Sequence, residues 1–333
     1  MNICLITTEF NSNDGGLGNY AKMLADALEH YNWINLKKVS YDNSRFKINN
    51  QLKTAFYTYI EMPSLLVEAD VYHSITPSLS KRLDKNKTVV TIQDLIPLEQ
   101  KIYDSSLMSR MFKLSFQIAM KSALKCREII VTSDDLAKSL TEHYSIDSDN
   151  ISVVRACISN GFFPTSKNDE TYTIGTISQL IYRKRIDILI RSFLKADIKN
   201  SRLLIGGKGH ELENLKKIAN NDDRIVFLGF IPDEKMNDFY NSLDVFVFPT
   251  LVEGYGLPMV EAMACGKPVI TLEDSQIPHD IKNKTHISSI NTLANDLKNR
   301  DFDCDIKSNL EFAKEHSPEK MAKEIIEVYK SIL

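Results

Sequence analysis

The 333-residue sequence has no surplus of positive charge: 41 Lys and Arg stand against 44 Asp and Glu, a net charge of -3. A protein whose task is to grip nucleic acid usually shows a basic excess, so nucleic acid is not an expected partner. Cysteine is sparse and odd in number. Cys4, Cys126, Cys157, Cys265 and Cys304 are scattered, and no two have the spacing of a zinc site. That argues against a disulfide framework and for reduced thiols in a cytosolic setting. No apolar run approaches the ~20 residues needed to span a bilayer. Met1-Asn2-Ile3-Cys4-Leu5-Ile6 has neither a basic start nor a long apolar stretch, so no export signal is expected there. The expected location is the cytoplasm, with any membrane contact peripheral and on its inner face.

What is there is ordinary globular composition, 43% hydrophobic and 26% charged. At about 150 residues per domain the length suggests two domains. Short apolar runs alternate with amphipathic stretches almost from end to end. Strand candidates lie at 3–8, 70–74, 88–92, 128–132 and 151–154, with helical patterns at 17–31, 78–83, 105–125 and 134–143. A polar, aperiodic stretch at 163–170, containing Pro164, interrupts the alternation and reads as a linker. The pattern then restarts with strands at 172–177, 202–205, 224–228, 244–248 and 268–271 and helices at 184–196, 211–219 and 233–242. Residues 319–333 form one amphipathic helix. Such alternation implies parallel sheets built from βαβ units. The expected architecture is α/β, with two Rossmann-like doubly wound domains facing across a cleft. The expected boundaries are 1–165, 166–317, and a tail helix at 318–333 that returns to the first domain.

Gly15-Gly16-Leu17-Gly18 separates the first strand from the first helix. Read as Gly16-x-Gly18-x-x-Ala21 it matches a dinucleotide fingerprint, which would suggest a nicotinamide-dependent oxidoreductase. However, residues 9–15 intervene after the strand, and no acidic residue stands near Leu36-Lys37-Lys38-Val39. A loop opening onto a helix N-terminus, suited to an anion, fits better. A tight turn that merely needs glycine is the plain alternative.

The most specific stretch is Glu253-Gly254-Tyr255-Gly256-Leu257-Pro258-Met259-Val260-Glu261-Ala262-Met263-Ala264-Cys265-Gly266-Lys267-Pro268. A strand delivers the chain into a Gly-Tyr-Gly loop. Pro258 suits the first turn of a helix, and Gly266 with Pro268 ends it after about two turns. The product is a short helix with bare backbone N–H groups at its start. Acidic residues near that end are explained for Glu261 by the helix dipole. The dipole does not explain a loop combining Glu253 with two glycines and a proline.

This block resembles the retaining glycosyltransferases of family 4, which have the GT-B fold and a Glu-x7-Glu motif. Glu253 and Glu261 match that motif, and the likeness extends to Gly15-Gly16-Leu17-Gly18, Gly175, Arg183-Lys184 and Leu228-Gly229-Phe230. The resemblance implies that Glu253 contacts the donor sugar and Glu261 the nucleotide ribose. Gly254, Tyr255, Gly256 and Leu257 would cradle the sugar and diphosphate. Lys184, with Arg183, would neutralise the departing diphosphate, although alone the run Arg183-Lys184-Arg185 reads as a solvated basic patch. Arg185, where relatives often have glycine, is expected to face solvent. Phe230 and Ile231 would lie near the base, or be plain core. Gly15 and Gly16 would close over the diphosphate or the acceptor.

The implied function is hexose transfer from a UDP- or GDP-sugar co-substrate to a glycan or lipid-linked acceptor, with no metal and no cofactor. Asp303-Cys304-Asp305 is taken as a chance match to a metal motif of another fold. Many relatives carry His-Asp where this chain has Gln93-Asp94, and glutamine cannot act as an acid or base near neutral pH. The alternative is therefore a nucleotide-sugar-binding subunit with weak or no catalysis. His73 is a further candidate, with a plain strand-end histidine as the rival reading. Residues 101–127 hold six basic residues and one acid among interleaved apolar ones. They suit either a peripheral membrane contact or a buried helix with a solvated basic face.

Overall fold

The computed structural model describes residues 1–10, 16–41, 56–98, 107–167 and 169–333. They form two compact units: Met1–Cys157 with Pro318–Leu333, and Ile158–Ser317.

The first unit holds strands β1 (Asn2–Ile6), β2 (Asn35–Val39), β3 (Val71–Ser74), β4 (Thr88–Ile92), β5 (Glu128–Val131) and β6 (Ile151–Val153). They pair in the order β2-β1-β3-β4-β5-β6, all parallel. Parallel strands are covered on both faces and read as continuous apolar runs, and all five residues of β4, Thr-Val-Val-Thr-Ile, are buried. The edge strand β2 was missed in the sequence because Lys37 and Lys38 break its apolar run. Charge on an edge strand also discourages pairing with another chain. The pattern at 78–83 is a 3₁₀ turn over Pro77–Arg82 rather than an α-helix.

The tail helix Pro318–Ser331 belongs to this unit. It buries Met321, Ala322, Ile325, Ile326 and Tyr329, a helical-period stripe, and packs on the helix Gly16–Glu29. Its Tyr329 hydroxyl bonds His73 Nδ1 at 2.6 Å, and His73 Nε2 meets Thr91 Oγ1 at 2.8 Å. Burial pushes the His73 imidazole down to about 3, so the ring is neutral and joins the tail to the sheet.

The second unit holds β7 (Tyr172–Ile177), β8 (Ser201–Gly206), β9 (Ile225–Gly229), β10 (Val245–Phe248), β11 (Val269–Leu272) and β12 (His286–Ser288). The order is β12-β11-β10-β7-β8-β9, again parallel. The chain enters at β7, winds outward to β9, then crosses back to β10 and winds the other way. Strand order therefore reverses between β7 and β10, and ligands of open α/β sheets bind outside the strand ends at such a point. Close approach there needs Gly175, because a Cβ on it would lie 2.4 Å from Leu243 Cδ2.

The unit boundary falls at Cys157/Ile158, ahead of the expected 165/166. The polar stretch is not a free linker. Phe163 N donates to Asn237 Oδ1 at 3.1 Å, Thr165 N donates to Asn241 Oδ1 at 2.7 Å, and Asn241 Nδ2 donates to Phe163 O at 2.9 Å. These bonds fasten it to the helix Asp233–Asn241 of the second unit.

Candidate functional site

At the reversal point two loops meet, one after β7 and one after β10. The first does not run straight into a helix, as the periodicity suggested. Tyr182–Lys184 is a 3₁₀ turn, Arg185 adopts the left-handed conformation at φ 51°, and the helix begins only at Ile186. The turn aims Arg183 and Lys184 at the second loop.

Glu253 Oε1 receives three donors: Lys184 Nζ, Arg183 Nη1 at 3.0 Å and Thr250 Oγ1 at 2.7 Å. The side chains of Arg183, Lys184 and Glu253 are 16%, 10% and 12% exposed, so this is a buried ion cluster and not a solvated patch. Burial alone would raise the Glu253 carboxyl, but Lys184 and Arg183 outweigh it and hold it below the usual carboxylate range. Burial lowers Lys184, opposed by the attraction of Glu253. Its ammonium also lies 4.9 Å from the centre of the Phe248 ring. Among the described residues no donor reaches Glu253 Oε2. Two cations to one carboxylate leave the cluster with positive charge to spare.

Beyond Glu253 the chain turns through Gly256, whose φ of 99° suits glycine, into the helix Leu257–Ala264. Met259 N folds back onto Gly256 O at 2.9 Å. Among the described residues no acceptor faces the N–H groups of Gly254, Gly256 or Leu257, leaving them open to an anion. The Tyr255 side chain is buried: its hydroxyl donates to His316 Nε2, and His316 Nδ1–H donates to Phe312 O at 2.8 Å. Tyr255 therefore has only its backbone to offer a ligand.

Glu261 sits on the same short helix. Its Oε2 accepts from the Tyr240 hydroxyl at 2.7 Å, and burial pushes its carboxyl up to about 7. Tyr240, Thr250 and Gln276 are site residues that the sequence did not single out. Gln276 pins the Glu253 loop through Glu253 N to Gln276 O (2.9 Å) and Gln276 N to Leu251 O (2.8 Å). No local motif marks them, because their roles come from tertiary approach: Tyr240 from the helix Asp233–Asn241, and Thr250 and Gln276 from the loops after β10 and β11.

Arg185 does not face solvent. Its guanidinium is enclosed, with the side chain 10% exposed, and its partners are Asp274, Pro249 O and Thr250 O. Phe230 lies just past β9, half exposed, with Lys208 Nζ 5.4 Å from its ring centre. Ile231 is partly buried against Gly206, so neither residue is plain core.

In the first unit, Gly16 opens the helix Gly16–Glu29 and is exposed, while Gly15 lies outside the described residues. Gln93 follows β4, and its Nε2 is buried with no hydrogen-bond partner among the described residues. Of the segment 101–127, residues 101–106 lie outside the described ones. The helix Leu107–Ala123 buries Ala119, Met120 and Ala123 but exposes Met111, Phe112, Leu114 and Ile118. Asp305 caps the helix Ile306–Lys314 by accepting from Ser308 N at 3.0 Å, which gives the Asp-x-Asp match a structural role. No helix of the described residues is long and apolar enough to cross a membrane.

A parallel, doubly wound sheet with a cation-clamped carboxylate beside an open helix start defines the second unit as a Rossmann-like domain with an edge suited to an anion. Residues 159–292 match the family described as "Glycosyl transferases group 1". The O-antigen chain mannosyltransferase RfbU of Salmonella typhimurium is 24% identical over 205 residues, covering 59% of this chain and 54% of that protein. The chain thus spans about half the length of that relative. Sucrose-phosphate synthase from Thermosynechococcus elongatus superposes with a TM-score of 0.79 at 17% identity, over 100% of this chain and 99% of that one. Anabaena Alr3699/HepE, solved in complex with UDP-glucose, superposes with a TM-score of 0.73 at 15% identity, over 99% and 100% of the two chains. The fold is that of the GT-B glycosyltransferases, and the match to the group 1 family covers residues 159–292 of this chain.

Proposed function

We propose that this protein transfers a hexose from a nucleoside-diphosphate sugar to a hydroxyl of a glycan or lipid-linked acceptor, with retention of configuration and without a metal ion. The observation that carries the reading is the Arg183–Lys184–Glu253 cluster, positively charged overall, beside the open N–H groups of Gly254, Gly256 and Leu257. A diphosphate gains negative charge as it leaves, and preorganised cations and N–H groups lower the barrier to that step. In this reading Glu253 Oε2 accepts from a sugar hydroxyl, Glu261 accepts from ribose hydroxyls, and Phe230 with Ile231 flanks the base. The acceptor oxygen attacks the anomeric carbon from the side of the leaving group. The bond from that carbon to the phosphate oxygen breaks, and a diphosphate oxygen takes the acceptor's proton. The family match over residues 159–292 and the UDP-glucose bound by the Anabaena protein support the donor class. The mannosyltransferase relative supports a role in glycan assembly.

The exposed apolar residues Met111, Leu114 and Ile118, flanked by Arg110, Lys113 and Lys121, extend the proposal to an anionic lipid surface, which suits a lipid-linked acceptor. Absence of co-sedimentation with anionic vesicles at low salt would remove that extension.

The donor reading is tested by a thermal-shift screen over UDP, GDP and ADP and their hexose conjugates. A ligand of the folded state raises the melting temperature. One nucleotide series is expected to do so and its sugar conjugate to be turned over. If no series shifts the melting temperature, the proposal is wrong.

A further inference from the structure

We infer that Arg185, gripped by Asp274, is a positioning residue that sets where the Glu253 carboxylate stands. This rests on the sugar-transfer reading above.

Arg185 occupies the left-handed region at φ 51°, which costs an L-residue other than glycine, asparagine or aspartate appreciable strain. Its guanidinium makes five contacts. Nε donates to Pro249 O at 2.7 Å, and Nη2 donates to Thr250 O at 3.1 Å. Nη1 and Nη2 grip the two Asp274 oxygens at 2.7 and 2.9 Å, a fork-to-fork pair, and Nη2 also reaches Ser275 Oγ at 3.2 Å. Hydrogen bonding from Arg185 holds the Asp274 carboxyl below its ordinary value.

The two carbonyls that Arg185 holds belong to the turn leaving β10. Thr250 in that turn donates to Glu253 Oε1, and Leu251 N donates to Arg183 O at 2.9 Å. Ser275, at the other end of the grip, donates to Thr250 O. Lys282 Nζ fixes the third segment through Glu273 O at 2.7 Å and Ser275 O at 2.8 Å. Three loops, after β7, β10 and β11, are thus stitched together with one guanidinium at the seam. Without it the turn keeps its links to Gln276 and to the Ser275 hydroxyl but loses the guanidinium bonds to Pro249 O and Thr250 O. Glu253 Oε2 then shifts relative to the open N–H groups of Gly256 and Leu257, which lie outside the stitched turn. Diphosphate binding survives such a shift, whereas sugar orientation does not, so the effect falls on kcat rather than on KM.

Arg185→Gly separates this role from bulk stability, because glycine relieves the left-handed strain while removing the guanidinium. The variant is expected to lose kcat on the order of 10²-fold, the cost of an ångström-scale misplacement. Donor KM is expected to change by less than about threefold, and methylguanidinium to restore part of the lost kcat well below the melting temperature. Asp274→Asn, which leaves Arg185 in place without its counter-charge, is expected to lose less and to be indifferent to methylguanidinium. Wild-type kcat in Arg185→Gly, or a loss that methylguanidinium leaves unchanged, overturns the positioning role while the sugar-transfer reading stands. A wild-type protein that turns over no sugar nucleotide overturns both.

Discussion

The loop edges of the two sheets are built from the same topology but handle polarity in opposite ways. In the second unit the loops after β7, β10 and β11 gather Arg183, Lys184, Arg185, Glu253 and Asp274, and each charged head is fixed by a partner. In the first unit the buried polar groups near the ends of β3 and β4 are uncharged. His73 is neutral between Thr91 and Tyr329, and Gln93 Nε2 has no partner among the described residues. The contrast teaches what each edge is suited to meet. A preformed ion cluster costs desolvation and is worth keeping where an anion must be held. A neutral, uncommitted amide suits a neutral hydroxyl.

The sharpest way to break this comparison is at Glu253. Glu253→Gln removes the charge and leaves Arg183 and Lys184 without their carboxylate. Turnover of the donor is expected to fall by about 10²–10³-fold, the usual range for losing a group that stabilises transition-state charge. The melting temperature should drop as well, because unpaired buried cations are destabilising. Unchanged turnover would detach the cluster from the chemistry.

In the first unit the expected effects are on stability alone. Tyr329→Phe leaves His73 Nδ1 without its partner and should cost about 1–3 kcal/mol in urea denaturation, with no loss of nucleotide binding by the second unit. The same histidine gives the unit an acid sensitivity of defined sign. Its imidazole lies at about 3 when folded against an ordinary 6.5, so the unfolded chain takes up the proton first. Stability contributed by the neutral ring is present above pH 6.5 and is lost as pH falls towards 3, by at most about 1.4 kcal/mol per pH unit. Denaturation midpoints measured from neutral to acid pH check this, with a smaller slope expected in a variant whose His73 is replaced.

The smallest expected effect is a pH dependence of nucleotide affinity. In the proposed donor site Glu261, raised to about 7, accepts from ribose hydroxyls more strongly when ionised. Affinity should therefore strengthen as pH rises through 7 and weaken below it, by at most about tenfold per pH unit. Calorimetry should show this slope in the wild type and a flat response in Glu261→Gln.

Much of the fold, and the local shape of the loop and short helix after β10, were legible in the sequence, for reasons particular to their residues. The buried strands β4, β7 and β10 are short apolar runs, and Gly256, Pro258 and Gly266 mark the start and end of the short helix. The family resemblance marked Lys184, Arg183 and Glu253 singly, while spacing alone left the cations a basic patch; that they close on one another comes from the tertiary fold. Arg185 was misread because its role depends on Asp274, 89 residues away, and on a backbone angle that no side-chain pattern signals. The edge strand β2 was hidden by its lysines. The strand β12 was not expected at all, since three residues are too few to show a period. The linker was placed too late because composition shows polarity and not the asparagines that fasten it.

The central claim is that the Arg183–Lys184–Glu253 cluster and the helix start hold a donor's diphosphate. Calorimetric titration with a nucleoside and its diphosphate, in the wild type and in Lys184→Ala, tests it most directly. The account predicts that the diphosphate binds far more tightly than the nucleoside in the wild type, and that Lys184→Ala narrows the gap. Equal affinity for the two ligands in the wild type, or a gap that the substitution leaves intact, would contradict it.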